Sequence, residues 1–429
     1  MFALLKIRVS GFRMLSDDFT LDFLTRARVN SDDIDDYSDD SEIIKIDENL
    51  YTYNLIAFTG SNSAGKSSTL DLIKNVLVLM KTGRWLYRKN DFNKSDIKLH
   101  IEFYLDGIIY LYDAVILPIE ELVEGQIMSP FCKITDEITK YANYDGKCGK
   151  HYLNSLNFLK DNHETKIDDT STLIFICRDK SNGYYLPEFS KNGVIVNKLF
   201  FESLNFLGEE LTKEIIRLLD DSIEYIHFDG SDSVLFKRFN NSQVIVTKKE
   251  MLGLLSNGTI KGIDLFIRTA MLLKTGGVMI IDEIENCFHK NLVNNLLFLI
   301  TDKSLNKKNA QIMFSTHYVE ILDIFDRRDN IFILHKVNNE VTIENLYDNY
   351  DFRTEILKSK KFNNNAFNTL LNYDQLMKVK RLLKNEVCNN DWRNLWKSFN
   401  GCFNKKGNLK YSGWITIIWR SFSCKTNKR

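Results

Sequence analysis

The stretch GSNSAGKS, Gly60 to Ser67, constrains the fold of this chain more than any other. Its two glycines and its Lys-Ser pair fit the spacing G-x-x-x-x-G-K-[ST]. The apolar run LIAFTG leads into it, and SSTLDLIKNVLVLM after it places apolar residues from Leu70 to Leu77 at helical spacing. A strand, a glycine-rich turn and a helix in this order predict a phosphate-binding loop within an α/β domain.

The chemistry of phosphate binding explains this spacing. Glycines let successive backbone N–H groups curl around an anion, and the helix N-terminus adds partial positive charge. The expected nucleotide contacts are Gly60, Ser61, Asn62, Ser63, Ala64, Gly65, Lys66, Ser67 and Ser68. Lys66 is predicted to reach the β- and γ-phosphates, and Ser67 is predicted to hold Mg²⁺. The alternative is a small-residue turn that only has the look of such a loop.

A second motif, GGVMIIDEIE, is an apolar strand that ends in two carboxylates, Asp282 and Glu283. At the carboxyl end of a buried strand, Asp282 is predicted to complete the Mg²⁺ site. Glu283 is predicted to orient or deprotonate the attacking water. An acidic pair after an apolar run is also a common strand end, so its meaning depends on the phosphate loop.

Two further motifs lie on either side of the acidic pair. LLSNGTIKGIDLFI predicts a helix with Ser256 as its N-cap, and such a terminus can donate hydrogen bonds to phosphate. The plain alternative is a helix cap with no ligand. IMFSTHYVEIL predicts a buried strand followed by His317, which could sense the γ-phosphate or could be structural.

The rest of the chain predicts four segments. Residues 1–117 and 231–365 are expected to form one α/β head, with a tight hairpin at Asp106-Gly107 and a carboxyl-terminal hairpin. Residues 118–230 hold all three prolines and an amphipathic pattern from Phe206 to Leu219, which predicts an inserted lobe. Residues 366–429 form a basic tail.

Charge is distributed unevenly along the chain. Lys+Arg and Asp+Glu both total 57, but residues 378–429 hold 13 basic and two acidic residues, with four of the five tryptophans. The run SDDIDDYSDDSE, Ser31 to Glu42, is expected to be a solvated loop.

Seven scattered cysteines and the lack of a signal peptide or long apolar span predict a cytoplasmic protein without membrane contacts.

Taken in order, the four motifs resemble the ABC-type ATPase superfamily. IRVSGFRML, IDEIENCFH and STHYVEILD are similar to its RecF/SMC/OLD branch. YDFRTEILKSKKF, Tyr350 to Phe362, resembles ATPases found with bacterial abortive-infection and anti-phage systems. The resemblance covers residues 1–365. It implies an α/β head with a mixed, mainly parallel sheet flanked by helices, an antiparallel sheet, and an inserted helical or mixed lobe.

The resemblance also implies an ATPase that uses ATP and Mg²⁺ and closes two heads, head to tail, over two nucleotides, as a dimer or within a higher oligomer. The residues expected to act in catalysis are Glu283, His317 and Lys66. The residues expected to cap the partner's phosphates are Ser256, Asn257 and Gly258. Arg13 matches an arginine that, in proteins of this branch, approaches the nucleotide. No Q-loop glutamine is evident, and the roughly 190 residues between Lys66 and Ser256 are too few for long SMC-like arms.

Three uses of the ATPase remain open from the sequence. The favoured one is a regulator, in phage defence, of a separately encoded effector protein. The second is a RecF-like repair clamp, in which the basic, Trp-rich tail binds DNA or RNA. The third is an OLD-like nuclease, but residues 365–429 lack the D-x-D metal pair of a Toprim domain. The preferred interpretation of the tail is that its aromatic residues dock on the head or on a partner protein.

Overall fold

The described elements come as runs of strands separated by helices. The computed structural model describes residues 1–29, 41–119, 122–123, 126–127, 131–146, 156–160, 170–177, 185–186, 207–228, 233–239, 241–286, 290–350, 357–364 and 373–388. The amino-terminal elements are β1 (Phe2–Ser10), β2 (Phe19–Asp22), β3 (Ile43–Asp47), β4 (Leu50–Tyr53), β5 (Leu55–Gly60), α1 (Lys66–Thr82), β6 (Ile97–Leu105) and β7 (Ile108–Ile119).

The remaining elements follow in chain order. The middle ones are β8 (Leu122–Val123), β9 (Gln126–Ile127), β10 (Phe131–Asn143), β11 (Leu159–Lys160), α2 (Leu173–Cys177), β12 (Tyr185–Leu186), α3 (Glu209–Leu219), β13 (Ile223–Phe228), β14 (Ser233–Arg238), β15 (Val244–Thr247) and α4 (Lys248–Leu254). The last are α5 (Asn257–Thr275), β16 (Val278–Ile281), α6 (Lys290–Thr301), β17 (Gln311–Ser315), β18 (Ile331–Val337), β19 (Glu340–Asn345), α7 (Leu346–Asn349), α8 (Lys358–Asn363) and α9 (Tyr373–Cys388).

A mainly parallel sheet forms the centre of the fold, in the strand order β12-β16-β17-β5-β18-β19. Its neighbours are parallel except β19, which pairs antiparallel with β18 in the expected carboxyl-terminal hairpin. Along β5, Ile56 and Phe58 enter one hydrophobic cluster, while Leu55 and Ala57 enter the cluster on the opposite face. Burial on both faces explains why these strands read as continuous apolar runs.

An antiparallel sheet lies beyond α1, in the order β11-β10-β7-β6-β1-β2. The hairpin between β6 and β7 turns at Asp106 and Gly107, whose φ angles of 47° and 88° are those of a tight left-handed turn. Buried residues of α1 join both sheets in one cluster, including Ile73 and Val76. The architecture confirms the expected fold class, a mainly parallel sheet with flanking helices and an antiparallel sheet.

The boundaries expected for the inserted lobe fall within one strand and between two strands that pair with each other. The boundary at 117/118 lies within β7, and β10 pairs with β7 along its whole length, from Phe131 opposite Ile119 to Asn143 opposite Ile108. Residues 131–143 therefore belong to the antiparallel sheet of the head. The boundary at 230/231 lies between β13 and β14, which pair with each other in a small separate sheet, where β14 also pairs with β15.

The amphipathic pattern before Leu219 predicts the helix α3 but not its buried face. Ile215 is buried, whereas Leu211 is 47% exposed and Thr212 and Ile216 complete the buried side. Phe206 lies outside the described residues. The sequence pattern misplaces Leu211 because the helix packs on α5 and β13, and the direction of that packing is not encoded locally.

The last residue of the acidic run, Glu42, is buried rather than solvated. Residues 31–40 lie outside the described residues, but Glu42 is buried and accepts hydrogen bonds from Asp326 N at 2.6 Å and Asn330 Nδ2 at 2.8 Å. Burial raises the pKa of this carboxyl to about 7. The expectation of a solvated loop is therefore wrong for Glu42, because backbone and amide donors across the fold satisfy its oxygens.

The chain divides into two compact units, Met1–Leu370 and Leu371–Arg429. In the second unit the described part is α9, whose apolar residues Leu376, Val379 and Leu383 are all exposed. The four tail tryptophans lie outside the described residues. Among the helices that are described, none is both long and apolar enough to cross a membrane.

Gly276, between α5 and β16, allows a test of how closely the backbone packs at the start of the strand that leads to Asp282 and Glu283. Its φ is 77°, and a Cβ there would lie 2.6 Å from the Lys308 carbonyl oxygen. We expect Gly276→Ala to lower the free energy of unfolding by about 3 kcal/mol, because the left-handed strain adds to a backbone collision. Denaturant unfolding measures this loss.

Gly107→Ala is the matched control for that prediction. Gly107 has a similar φ of 88° but open space around its Cβ position. We expect it to cost about 1 kcal/mol, the strain alone. Equal losses in the two variants would mean that the Lys308 backbone yields without cost.

Candidate functional site

The glycine loop lies between the carboxyl end of β5 and the first turn of α1. Gly60 has a φ of 145°, and a side chain there would collide with the Leu334 carbonyl oxygen of β18. Gly65 has a φ of 96°, and its Cβ would lie 2.6 Å from Val341 Cγ1 of β19. Both positions therefore require glycine, since the terminal hairpin presses against the loop.

The loop leads into a helix terminus that is suited to an anion. Gly65 is the N-cap of α1 and has no side chain to cap it, and the first turn carries no acidic residue. The first backbone N–H groups of a helix have no intrahelical acceptor, and the helix dipole makes this end positive. A phosphate is the ligand that such a loop and helix terminus bind best.

Lys66 folds back over the loop. Its Nζ donates to Gly60 O at 2.8 Å and to Ser61 O at 3.0 Å, and the residue is only 5% exposed. Burial lowers the pKa of Lys66 to about 8, against the attraction of Asp282, Glu285 and Glu283. A buried ammonium held only by carbonyl oxygens is well prepared to exchange them for phosphate oxygens.

Asp282 meets the loop across the sheet. Ser67 Oγ donates to its Oδ2 at 2.7 Å, and Ser315 Oγ at the end of β17 donates to its Oδ1 at 2.6 Å. The Ser67 hydroxyl and the Asp282 carboxylate are hard oxygen donors of the kind that Mg²⁺ prefers, and they face each other beside the helix terminus. These two residues therefore fit the expected metal.

Glu283 has an unusual backbone. Its φ is 55°, in the left-handed region, and its N–H donates to Ser315 Oγ at 2.7 Å. The side chain is 38% exposed, so its carboxylate faces the open cleft. His317 Nε2 lies 3.9 Å from Glu283 Oε1. Non-glycine residues rarely adopt this conformation, and those that do often lie at functional positions.

Glu285 fixes the chain around His317. Its Oε1 accepts a hydrogen bond from His317 N at 2.6 Å, and the residue is 8% exposed. Its Oε2 is buried and has no hydrogen-bond partner among the described residues. The acidic turn after β16 and the turn after β17 are thus joined directly.

These elements surround a cleft of about 470 Å³. Its lining residues are Asn62, Ser63, Ala64, Gly65, Lys66, Ser67, Ser68, Asp282, Glu283 and His317. The phosphate loop, the acidic pair and the histidine, which the sequence places far apart, come together there. Gly60 and Ser61 stand behind the loop, as acceptors for Lys66.

Arg13 lies next to this cleft rather than in its wall. It borders a neighbouring cavity of about 510 Å³, together with Arg88, Lys89, Asn90 and Asp91. Its guanidinium lies 2.8 Å from Asp91, 2.7 Å from Asp71 and 3.4 Å from the Ser68 hydroxyl. In this structure Arg13 braces the first turns of α1.

Of the three residues expected to cap a partner's phosphates, the described ones, Ser256 and Gly258, do not line the cleft of their own chain. Ser256 is exposed and caps α5, accepting a hydrogen bond from Thr259 N at 3.0 Å, as the sequence predicts. Gly258 is partly buried, and the side chain of Asn257 is outside what the structure describes.

Sequence reasoning missed two residues of this site, Ser315 and Glu285. Both lie within motifs that point to the site, STHYVEIL and IDEIE. In each motif the predicted role went to a neighbour with more obvious chemistry, His317 or Glu283. Ser315 and Glu285 each lie two residues from a candidate catalytic group, at or just after the end of a buried strand, and this position is the signal that could have identified them.

Three comparisons with known proteins place this chain among its relatives. No curated protein matches the sequence. The SMC head domain from Thermotoga maritima is 13% identical, with a TM-score of 0.37, over 80% of this chain and 98% of that one. An SMC head bound to the C-winged helix domain of ScpA is also 13% identical, with a TM-score of 0.40, over 80% and 97%. Likenesses at this level establish no shared activity.

The family comparison is more specific. The family described as "AAA domain, putative AbiEii toxin, Type IV TA system" matches residues 55–323. That span begins at β5 and contains the glycine loop, Ser256, the acidic pair and His317. Since it covers more than half of the 429 residues, the chain belongs to this AAA domain family.

Proposed function

We propose that this protein binds ATP in the cleft and hydrolyses it to ADP and phosphate. The observation that carries the proposal is the 2.7 Å contact of Ser67 with Asp282, because it joins the phosphate loop to the acidic pair at a helix N-terminus. Membership of an AAA domain family supports it. Ser67 and Asp282 would hold Mg²⁺, which would neutralise charge on the phosphate oxygens.

The chain's own groups supply the rest of the chemistry. Lys66 and the backbone N–H groups of the loop bind and orient the phosphates. Glu283, exposed to the cleft, orients a water molecule toward the γ-phosphorus and accepts its proton as the bond to ADP breaks. His317, whose Nε2 lies 3.9 Å from Glu283 Oε1, donates toward the γ-phosphate and limits the movement of that carboxylate.

The site is completed by a second copy of the chain. Ser256 is exposed at the N-terminus of α5 and is absent from the wall of its own cleft, so it is available to a partner. In the head-to-tail dimer, Ser256 and Gly258 of one copy cap the γ-phosphate bound by the other. ATP then holds the two copies together, and hydrolysis releases them.

The dimer regulates a separate effector in defence against phage. The family's description as a putative AbiEii toxin domain supports this role, together with the resemblance of Tyr350 to Phe362 to ATPases of such systems. The second candidate is a DNA clamp, which the excess of basic residues from 378 to 429 favours. Isolation of the tagged Glu283→Gln protein with ATP distinguishes them: a stoichiometric protein partner supports the first, and abundant DNA without one supports the second.

Replacing Glu283 and Lys66 separates binding from turnover. We expect Lys66→Ala to abolish tight ATP binding, because the loop loses its cation. Glu283→Gln should keep binding and lower kcat by about 100-fold or more, because it removes the proton acceptor. Equilibrium binding and phosphate release measure the two effects. Glu320→Gln, an exposed acid just after His317, is the control and should behave as wild type. Turnover by Glu283→Gln at the wild-type rate would remove Glu283 from catalysis.

Mixing two inactive variants tests the composite site. Ser256→Asp keeps a good N-cap for α5 but sets a negative charge against the partner's phosphates, so we expect it to bind ATP without turnover. In a mixture with Lys66→Ala, each mixed dimer has one intact site, made by the loop of the Ser256→Asp chain and the cap of the Lys66→Ala chain. Random pairing should restore about a quarter of the wild-type activity. If Ser256→Asp hydrolyses ATP normally by itself, the capping role is wrong.

The depressed pKa of Lys66 makes ATP affinity depend on pH. Its pKa is about 8 without nucleotide, and phosphate favours the charged form, so binding above pH 8 must take up a proton. We expect Kd to be constant below pH 7 and to rise by up to about tenfold per unit above pH 8. Calorimetry at pH 9 in two buffers measures the uptake. In Lys66→Arg the profile should be flat, and a flat wild-type profile would contradict the assignment.

A further inference from the structure

Ser315 makes three contacts with the acidic turn after β16. Its hydroxyl donates to Asp282 Oδ1 at 2.6 Å and accepts from Glu283 N at 2.7 Å. Its carbonyl oxygen accepts from Ile284 N at 3.0 Å. The residue is completely buried and ends β17, the strand between β5 and β16. One small side chain is therefore bonded to the metal-site carboxylate and to the backbone of the water-orienting glutamate.

The neighbouring hydroxyl shows that this arrangement is not a general property of the strand end. Thr316 is equally buried, but its hydroxyl accepts from Tyr318 N at 3.0 Å and serves the turn of its own chain segment. Ser315 instead directs its hydroxyl across to the adjacent strand. Ser and Thr hydroxyls usually bond to the backbone of their own turn. The hydroxyl of Ser315 instead connects two neighbouring strands.

The contacts of Ser315 control two geometric quantities. By donating to Oδ1, it sets the rotation of the Asp282 carboxylate and leaves Oδ2 turned toward Ser67. By accepting from Glu283 N, it stabilises a left-handed residue whose φ of 55° is intrinsically unfavourable. Without this acceptor, the Glu283 peptide would relax and carry its carboxylate away from the cleft.

We propose that Ser315 is a positioning residue for ATP hydrolysis, which holds the Asp282 carboxylate and the Glu283 backbone in register with the phosphate loop. This inference rests on the proposed function. Ser315 is completely buried and is not among the residues that line the cleft, so it would act through the two acidic residues. Its loss should therefore lower kcat while leaving ATP affinity, which depends on Lys66 and the loop, nearly unchanged.

The test compares Ser315→Ala, Ser315→Thr and Ser315→Val in the full chain. Thr and Val have the same shape and differ only in the hydroxyl, so their difference isolates the hydrogen bonds from the added bulk. Thr52→Ala removes another buried hydroxyl, bonded to Phe23 O at 2.8 Å and remote from the cleft, and controls for stability. The measurements are kcat, KM, thermal unfolding, and hydrogen exchange of the Glu283 amide without nucleotide.

We expect Ser315→Ala to lower kcat by about 10- to 100-fold with KM changed less than about threefold, and to speed exchange of the Glu283 amide at least about tenfold. Ser315→Thr should recover activity that Ser315→Val does not, and Thr52→Ala should keep the wild-type kcat. Exchange at Glu283 is informative even for a variant with no turnover.

Two results would overturn the inference. One is a Ser315→Ala protein with wild-type kcat and wild-type exchange at Glu283. The other is equal activity in the Thr and Val variants, which would assign any defect to packing. A wild-type chain that does not hydrolyse ATP would instead contradict the proposed function itself, so the two failures are distinct.

Discussion

The Asp282 carboxylate, held between two serine hydroxyls, is the contact on which the site depends. Its oxygens accept from Ser67 and Ser315; Asp282 follows β16, Ser67 follows β5 and its glycine loop, and Ser315 ends β17. These strands are neighbours in the parallel sheet, so their carboxyl ends meet at one edge. A carboxylate this close to the interior needs such donors, because an unsatisfied charge there would destabilise the fold.

Around this contact the protein combines rigidity with local strain. The strands are buried on both faces, and α1 is packed between two sheets, so the loop and the acidic pair have little freedom. Glu283 and Ser63 nevertheless adopt left-handed backbone conformations, with φ angles of 55° and 62°. Such strain persists only where the surroundings over-determine the geometry. The buried sheet thus supports a strained backbone at the edge where the candidate site lies.

The parts of the molecule that were predictable from the sequence are those with a local signal. The glycine loop, the apolar strands and the Asp106-Gly107 turn each depend on residues close together in the chain, and all form as expected. The pairing of β10 with β7, the burial of Glu42 and the contacts of Ser315 depend on distant partners instead. No periodicity records which strand a segment joins, or which remote N–H group meets a buried carboxylate.

The dependence of the glycine loop on the terminal hairpin has a consequence for synthesis of the chain. Gly60 and Gly65 rest against Leu334 and Val341, which are made more than 270 residues later. While the ribosome is still translating the middle of the chain, the loop has nothing to lie on and the acidic strand does not yet exist. A nascent chain that ends before the terminal hairpin therefore lacks the surface on which the loop rests, and the loop can take up its folded conformation only late in synthesis.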